Sequence, residues 1–112
     1  GLADLAGYRA AELSHGDQRL LEVAIALGLS PKLLMLDEPT AGLSPEETRL
    51  MMGVIKRLAR RYTILLIEHK IHLVMEVSDV ISVMHFGRLI AQGQPEEIQK
   101  NPAVQEAYLG RR

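Results

Sequence analysis

Two short runs of consecutive apolar residues stand out, Leu33-Leu34-Met35-Leu36 and Ile64-Leu65-Leu66-Ile67. Apolar runs this short, bounded by turn-forming residues, read as strands of a parallel sheet covered on both faces. Between them Leu50, Met51, Val54, Ile55 and Leu58 recur at helical spacing and predict an amphipathic helix. Its start is well punctuated: Ser44 caps, Pro45 takes the first helical position, and Glu47 completes Ser-x-x-Glu. Lys56, Arg57, Arg60 and Arg61 gather towards the other end, where the helix dipole favours cations. Strand, helix and strand at this spacing form a βαβ unit, with a right-handed crossover expected.

The flanks extend the pattern. Ser14 is an N-cap residue with Asp17 three positions on, completing a capping-box pattern. Leu20, Leu21, Val23, Ala24, Ile25, Ala26 and Leu27 then cover nearly every face of a helix, so that helix is expected to be largely buried. Gly28 and Pro31 end it. Downstream, Ile71, Val74, Met75 and Ser78 predict a short helix, and residues 80–85 and 88–92 a hairpin around Phe86-Gly87. Two short helices finish the chain, one over residues 95–100 and one capped by Asn101, opened by Pro102 and closed by Gly110. The class is α/β, with parallel strands, flanking helices and a C-terminal β-hairpin.

Composition narrows this picture without changing it. The 112 residues are 47% hydrophobic with a net charge of −1, which excludes a disordered chain. The apolar stretch at residues 20–29 is interrupted by Glu22, too short and too polar for a membrane span. There is no Cys for a disulfide framework or thiolate metal site. Balanced charge gives no electrostatic reason to expect nucleic acid or an anionic lipid surface. The chain begins Gly1-Leu2-Ala3 and reads as the start of a piece.

Three segments carry chemistry. The first apolar run delivers Asp37 and Glu38 at the carboxyl end of its strand, where open α/β sheets bind ligands. One carboxylate can hold Mg²⁺ through water while the other polarises an attacking water, as phosphoryl transfer requires. His69 follows the second run; adjacent parallel strands end on one edge, so it is expected to reach the same crevice. A neutral imidazole there can hydrogen-bond a γ-phosphate. Finally, Leu13-Ser14-His15-Gly16-Asp17-Gln18 places a hydroxyl, a glycine and backbone N–H groups at a helix start, which is either an anion site or an ordinary cap. Asp17 favours the cap, since a carboxylate in the first turn opposes an incoming phosphate.

In this order the segments resemble the ATP-binding subunits of ABC transporters. Leu13 to Asp17 resemble the signature motif, with His15 and Asp17 departing from the usual Gly and Gln, and the resemblance implies Ser14, His15, Gly16, Asp17 and Gln18 as residues that meet nucleotide in trans. Residues 33–38 resemble Walker B plus the catalytic Glu, so the resemblance implies Glu38 as base and Asp37 as the Mg²⁺ residue. Ala41, Gly42, Leu43 and Ser44 resemble the D-loop, with Ser44 where an Asp is usual, and His69 matches the switch His. Ile67-Glu68-His69, Leu73-Val74-Met75, Ser78-Asp79, Gly93-Gln94-Pro95, Asn101-Pro102 and the tail Ala107-Tyr108-Leu109-Gly110 are similar to the ATPases of branched-chain amino-acid importers.

The family's phosphate loop, Gly-x-x-x-x-Gly-Lys-Ser/Thr, is not in the sequence; no Gly is followed by Lys. Its strand-ending Gln is also lacking. Both precede the signature in the family, so the resemblance implies the C-terminal half of a P-loop NTPase domain. Residues 1–29 then end a helical subdomain carrying the signature, 30–94 hold the Walker B, D-loop and switch-His core, and 95–112 are C-terminal helices. The resemblance further implies ATP and Mg²⁺ as ligands, and a second ATPase subunit whose bound ATP the signature meets in trans. Transmembrane permease subunits follow as partners, with a periplasmic or extracellular solute-binding protein acting indirectly and no nucleic acid. The implied place is the cytoplasmic face of the cell membrane, peripherally bound. Without the phosphate loop, the chain alone is expected not to hydrolyse ATP. Two other assignments are a lobe of a chromosome or DNA-repair ATPase and a non-catalytic dimerisation fragment. The first calls for a heptad segment ahead of the signature, and residues 1–12 have none.

Overall fold

The computed structural model describes residues 2–109, which divide after Glu68 into two compact units. In the first, short 3-10 turns at Leu2–Leu5 and Ala10–Glu12 lead into helix α1 (His15–Leu27), strand β1 (Leu33–Asp37), helix α2 (Pro45–Leu58) and strand β2 (Thr63–Ile67). β1 and β2 pair in parallel, from Leu33 opposite Thr63 to Asp37 opposite Ile67. The strand–helix–strand unit expected from the sequence is therefore present, and both strands end on the same edge.

Burial corrects several expectations. β1 alternates: Leu34 and Leu36 are buried, whereas Leu33 and Met35 remain 50% and 64% exposed. On β2, Leu65 and Ile67 are also about half exposed. An uninterrupted apolar run predicts cover on both faces, but a pleated strand sends successive side chains to opposite sides, and cover depends on what packs there. Beside Met35 that cover is incomplete, because a cavity of about 180 Å³ opens between it, Arg19 and Val23 of α1, and Met51 of α2.

Helix α1 is likewise less buried than its composition suggested. Only Gly16 and Val23 are buried, and Ile25 is largely exposed. Apolar residues on every face are covered only where a neighbour exists for each face, and α2 supplies one. On α2 the buried stripe is Met51, Met52 and Ile55, so Met52 replaces the exposed Leu50 of the expected set. The stripe is rotated by about one position, which periodicity alone leaves undetermined.

The helix ends are only partly as read. α2 has the full capping box: Glu47 N donates to Ser44 Oγ and Ser44 N donates to Glu47 Oε1, each at 3.1 Å. α1 shows one half, Asp17 N donating to Ser14 Oγ at 3.1 Å, since an Asp side chain is a methylene shorter than the Glu that reaches back. Gly28 stays right-handed at the end of α1; the left-handed residue is Ser30, with φ 52°.

The second unit comprises helix α3 (Ile71–Val77), strands β3 (Ile81–His85) and β4 (Arg88–Gly93), and helices α4 (Pro95–Lys100) and α5 (Pro102–Val104). α5 runs into a wider helical turn at Gln105–Leu109, and the Gly110 stop lies outside the described residues. β3 and β4 form the expected antiparallel hairpin. Phe86 and Gly87 both have positive φ, 48° and 75°, the mirror-image turn that matches strand twist. Ile81, Val83, Ile98 and Val104 make the core, with Ile71, Val74 and Met75 against it. A shift in pairing falls between Val83 and Met84, and there Tyr108 Oη donates to the Met84 carbonyl. No helix among the described residues is long and apolar enough to cross a membrane.

Candidate functional site

Leu34 and Leu36 anchor β1, and the strand ends by delivering Asp37 and Glu38, both exposed. Glu38 has φ 46°, outside the strand region and unusual for a non-glycine residue. Its N–H still donates to Ile67 O of β2 at 2.7 Å, so the backbone stays tied to the sheet as it turns. The chain then folds back on itself, with Ala41 N donating to Glu38 O at 3.1 Å. A residue held in a sparsely populated conformation at a strand end points to a functional constraint there.

Beneath this turn lies Thr40, fully buried, whose Oγ1 donates to Glu68 Oε2 at 2.7 Å. This hydroxyl ties the turn after β1 to the residue after β2, holding two strand ends together. Thr40→Val keeps the shape and removes the donor. Removing one partner of a buried hydrogen bond to a charged group costs about 1–3 kcal/mol. Thr40→Val is expected to unfold at lower denaturant concentration by that amount, with an unchanged slope; an unshifted midpoint in a urea titration followed by circular dichroism would show the bond to be idle.

The signature-like and D-loop-like segments meet in the first unit. Gly16 is buried, and its N–H donates to Glu47 Oε2 at 2.8 Å. The other oxygen of the same carboxylate takes the Ser44 N–H, so one side chain joins both segments. A second contact runs alongside, with His15 Nε2 3.3 Å from Ala41 O. A Cβ at Gly16 would lie 2.3 Å from Glu47 Oε2, so the carboxylate would have to swing aside to admit one. The N–H groups of Ser44 and then of Gly16 hold the Glu47 carboxyl below the usual carboxylate range, with partial burial opposing them and the His15 charge adding a little. A depressed folded value means that the joint stabilises fully above the ordinary Glu range and weakens as pH falls through the folded value.

The backbone donors of residues 16–18 are engaged within the chain. The Gly16 N–H goes to Glu47, the Asp17 N–H to Ser14 Oγ, and the Gln18 N–H to Ser14 O at 2.9 Å. The Gln18 side chain turns back, donating to Ala10 O and Leu13 O. Ser14 and His15 are the exposed members of the segment. His69 opens the second unit and is exposed. Glu47 is the residue that sequence reasoning missed as part of the site. Its Ser-x-x-Glu pattern announced a helix cap, but one oxygen satisfies the cap and leaves the other available.

Mg²⁺ seeks about six oxygen ligands at short range. No group of three or more His, Asp or Glu among the described residues can hold a metal. Asp37 and Glu38 are exposed carboxylates at a strand edge, which fits an ion held mainly by phosphate and water and only touched by the protein.

Residues 88–112 match the family model "Branched-chain amino acid ATP-binding cassette transporter", and residues 4–74 match "AAA domain, putative AbiEii toxin, Type IV TA system". The chain is 49% identical to the high-affinity branched-chain amino acid transport ATP-binding protein LivG of Salmonella typhimurium, covering 98% of this chain and 44% of that protein. It is 46% identical to the corresponding protein BraF of Pseudomonas aeruginosa, over 97% and 44%. Its fold matches a crystal structure of the ADP conformation of an ATP-binding cassette of an ABC transporter, with TM-score 0.85, 34% identity, and coverage of 98% of this chain and 45% of the other. The chain thus spans less than half the length of the relatives it matches. It belongs to the ATP-binding cassette ATPases of ABC transporters and corresponds to the C-terminal portion of that cassette.

Proposed function

We propose that this chain is part of the ATP-hydrolysing subunit of an ABC importer for branched-chain amino acids, coupling ATP binding and hydrolysis to uptake. The observation that carries this is the meeting, in one compact unit, of strand-end carboxylates with two loops joined through Glu47. The solute follows from LivG and BraF, named for high-affinity branched-chain amino acid transport, and from the match at residues 88–112. Glu38 polarises the attacking water, Asp37 holds Mg²⁺ through water, and His69 hydrogen-bonds the γ-phosphate. The ion, when bound, neutralises phosphate charge as the terminal bond breaks.

In this assignment Ser14, His15, Gly16, Asp17 and Gln18 face ATP carried by a second ATPase subunit, with Ala41, Gly42, Leu43 and Ser44 beside them. Residues 1–29 close the helical subdomain, 30–94 form the catalytic core, and 95–112 the C-terminal helices. The assembly sits at the cytoplasmic face of the membrane on permease subunits, and a solute-binding protein delivers the amino acid. The phosphate loop comes from outside these 112 residues. The complete cassette is therefore expected to show steady-state, Mg²⁺-dependent ATP turnover, and the purified 112-residue chain none. Turnover by the chain alone, abolished by Glu38→Gln, would contradict the need for a phosphate loop. No turnover by the complete cassette with its permease would sink the importer assignment.

A further inference from the structure

The capping box of α2 accounts for one oxygen of Glu47, and the other is directed 31 residues back along the chain to Gly16. A helix cap needs only the first of these bonds. The second spans two loops distant in sequence, and it is the shorter, 2.8 Å against 3.1 Å. Charge-assisted hydrogen bonds from backbone N–H to carboxylate are about twice as strong as neutral ones. Burial of Gly16 and the parallel His15–Ala41 contact serve the same junction.

We propose that Glu47 is a positioning residue: its carboxylate fastens the Gly16 loop to the Ser44 loop, so that both are presented to the nucleotide as a single rigid body. Resting on the function proposed above, this assigns to one side chain the coupling between two segments that approach ATP from this subunit. Glu47 itself touches neither ATP nor water in the reaction. It acts through the backbone of Gly16 and Ser44, where a displacement of 1 Å costs on the order of 10²-fold in rate.

The direct test needs no activity. His15-Gly16 is the only His–Gly pair in the sequence, so ¹³C-carbonyl His with ¹⁵N-Gly labelling selects the Gly16 amide alone in this chain. In the wild type, that amide is expected to be shifted downfield, protected from exchange, and to move in one protonation step below the usual carboxylate range. Ser44→Ala removes the hydroxyl half of the helix cap but leaves both carboxylate bonds, so the Gly16 signal keeps its position. Glu47→Gln has one acceptor oxygen for two N–H donors, and Glu47→Ala has none; both are expected to lose the downfield shift. A Gly16 amide indifferent to acid in the wild type overturns the proposal even if the variants fail to fold, as does one unchanged by Glu47→Ala.

In the complete cassette, Glu47→Gln is expected to lower kcat about tenfold while KM for ATP moves less than about twofold. An unchanged kcat would confine Glu47 to helix capping. A wild-type cassette without turnover would instead remove the importer assignment, leaving the Gly16 measurement to decide the junction.

Discussion

Glu38→Gln in the complete cassette is expected to lower steady-state ATP turnover by about 10²- to 10⁴-fold, the span typical of losing a general base. The substitution is nearly isosteric, so the turn with φ 46° and the 2.7 Å bond from Glu38 N to Ile67 O should persist. What changes is proton affinity: an amide cannot accept the proton of the attacking water. Nucleotide-driven association of two cassettes should survive, because binding does not need the base. Phosphate release measured beside light scattering separates the two. Turnover near the wild-type rate would remove Glu38 from the chemistry and leave the strained turn without a catalytic reason.

Gly16→Ala acts from the other side of the site and is expected to cost turnover on the order of 10²-fold. A Cβ at this position meets Glu47 Oε2 at 2.3 Å and its carboxyl carbon at 2.9 Å. These atoms end a flexible side chain, so the backbone can stay in place while the carboxylate swings away. The Gly16 N–H then loses its partner and the two loops separate. Because α2 keeps its Ser44 hydroxyl cap, helix content by circular dichroism should hardly change while turnover falls. A variant that is equally active, or that loses its helices outright, would contradict this account.

Much of this was legible in the sequence, and what escaped has physical reasons. Asp37-Glu38 after four apolar residues placed a carboxylate pair at a strand end, and the parallel pairing of β1 with β2 put that end on a shared edge. Ser44, Pro45 and Glu47 located the start of α2 because capping is local chemistry within one turn. The sidedness of β1 was not legible, since Leu33 and Met35 are as apolar as Leu34 and Leu36 and differ only in what lies opposite them. Nor was the bond from Gly16 to Glu47, because the two lie 31 positions apart and the chain between them had to fold before they could meet.

The contact of His15 with the second loop has a consequence for how this sequence can vary. Gly42 has φ 75°, and a Cβ there would sit 3.1 Å from His15 Nε2. Two separate constraints therefore fall on one position, the first from its own backbone and the second from a side chain 27 residues earlier. Shrinking residue 15 to glycine would lift the second and leave the first. Enlarging residue 42 while His15 stays would meet both. Positions 15 and 42 are thus not independent letters: the bulk admitted at one is set by the emptiness kept at the other.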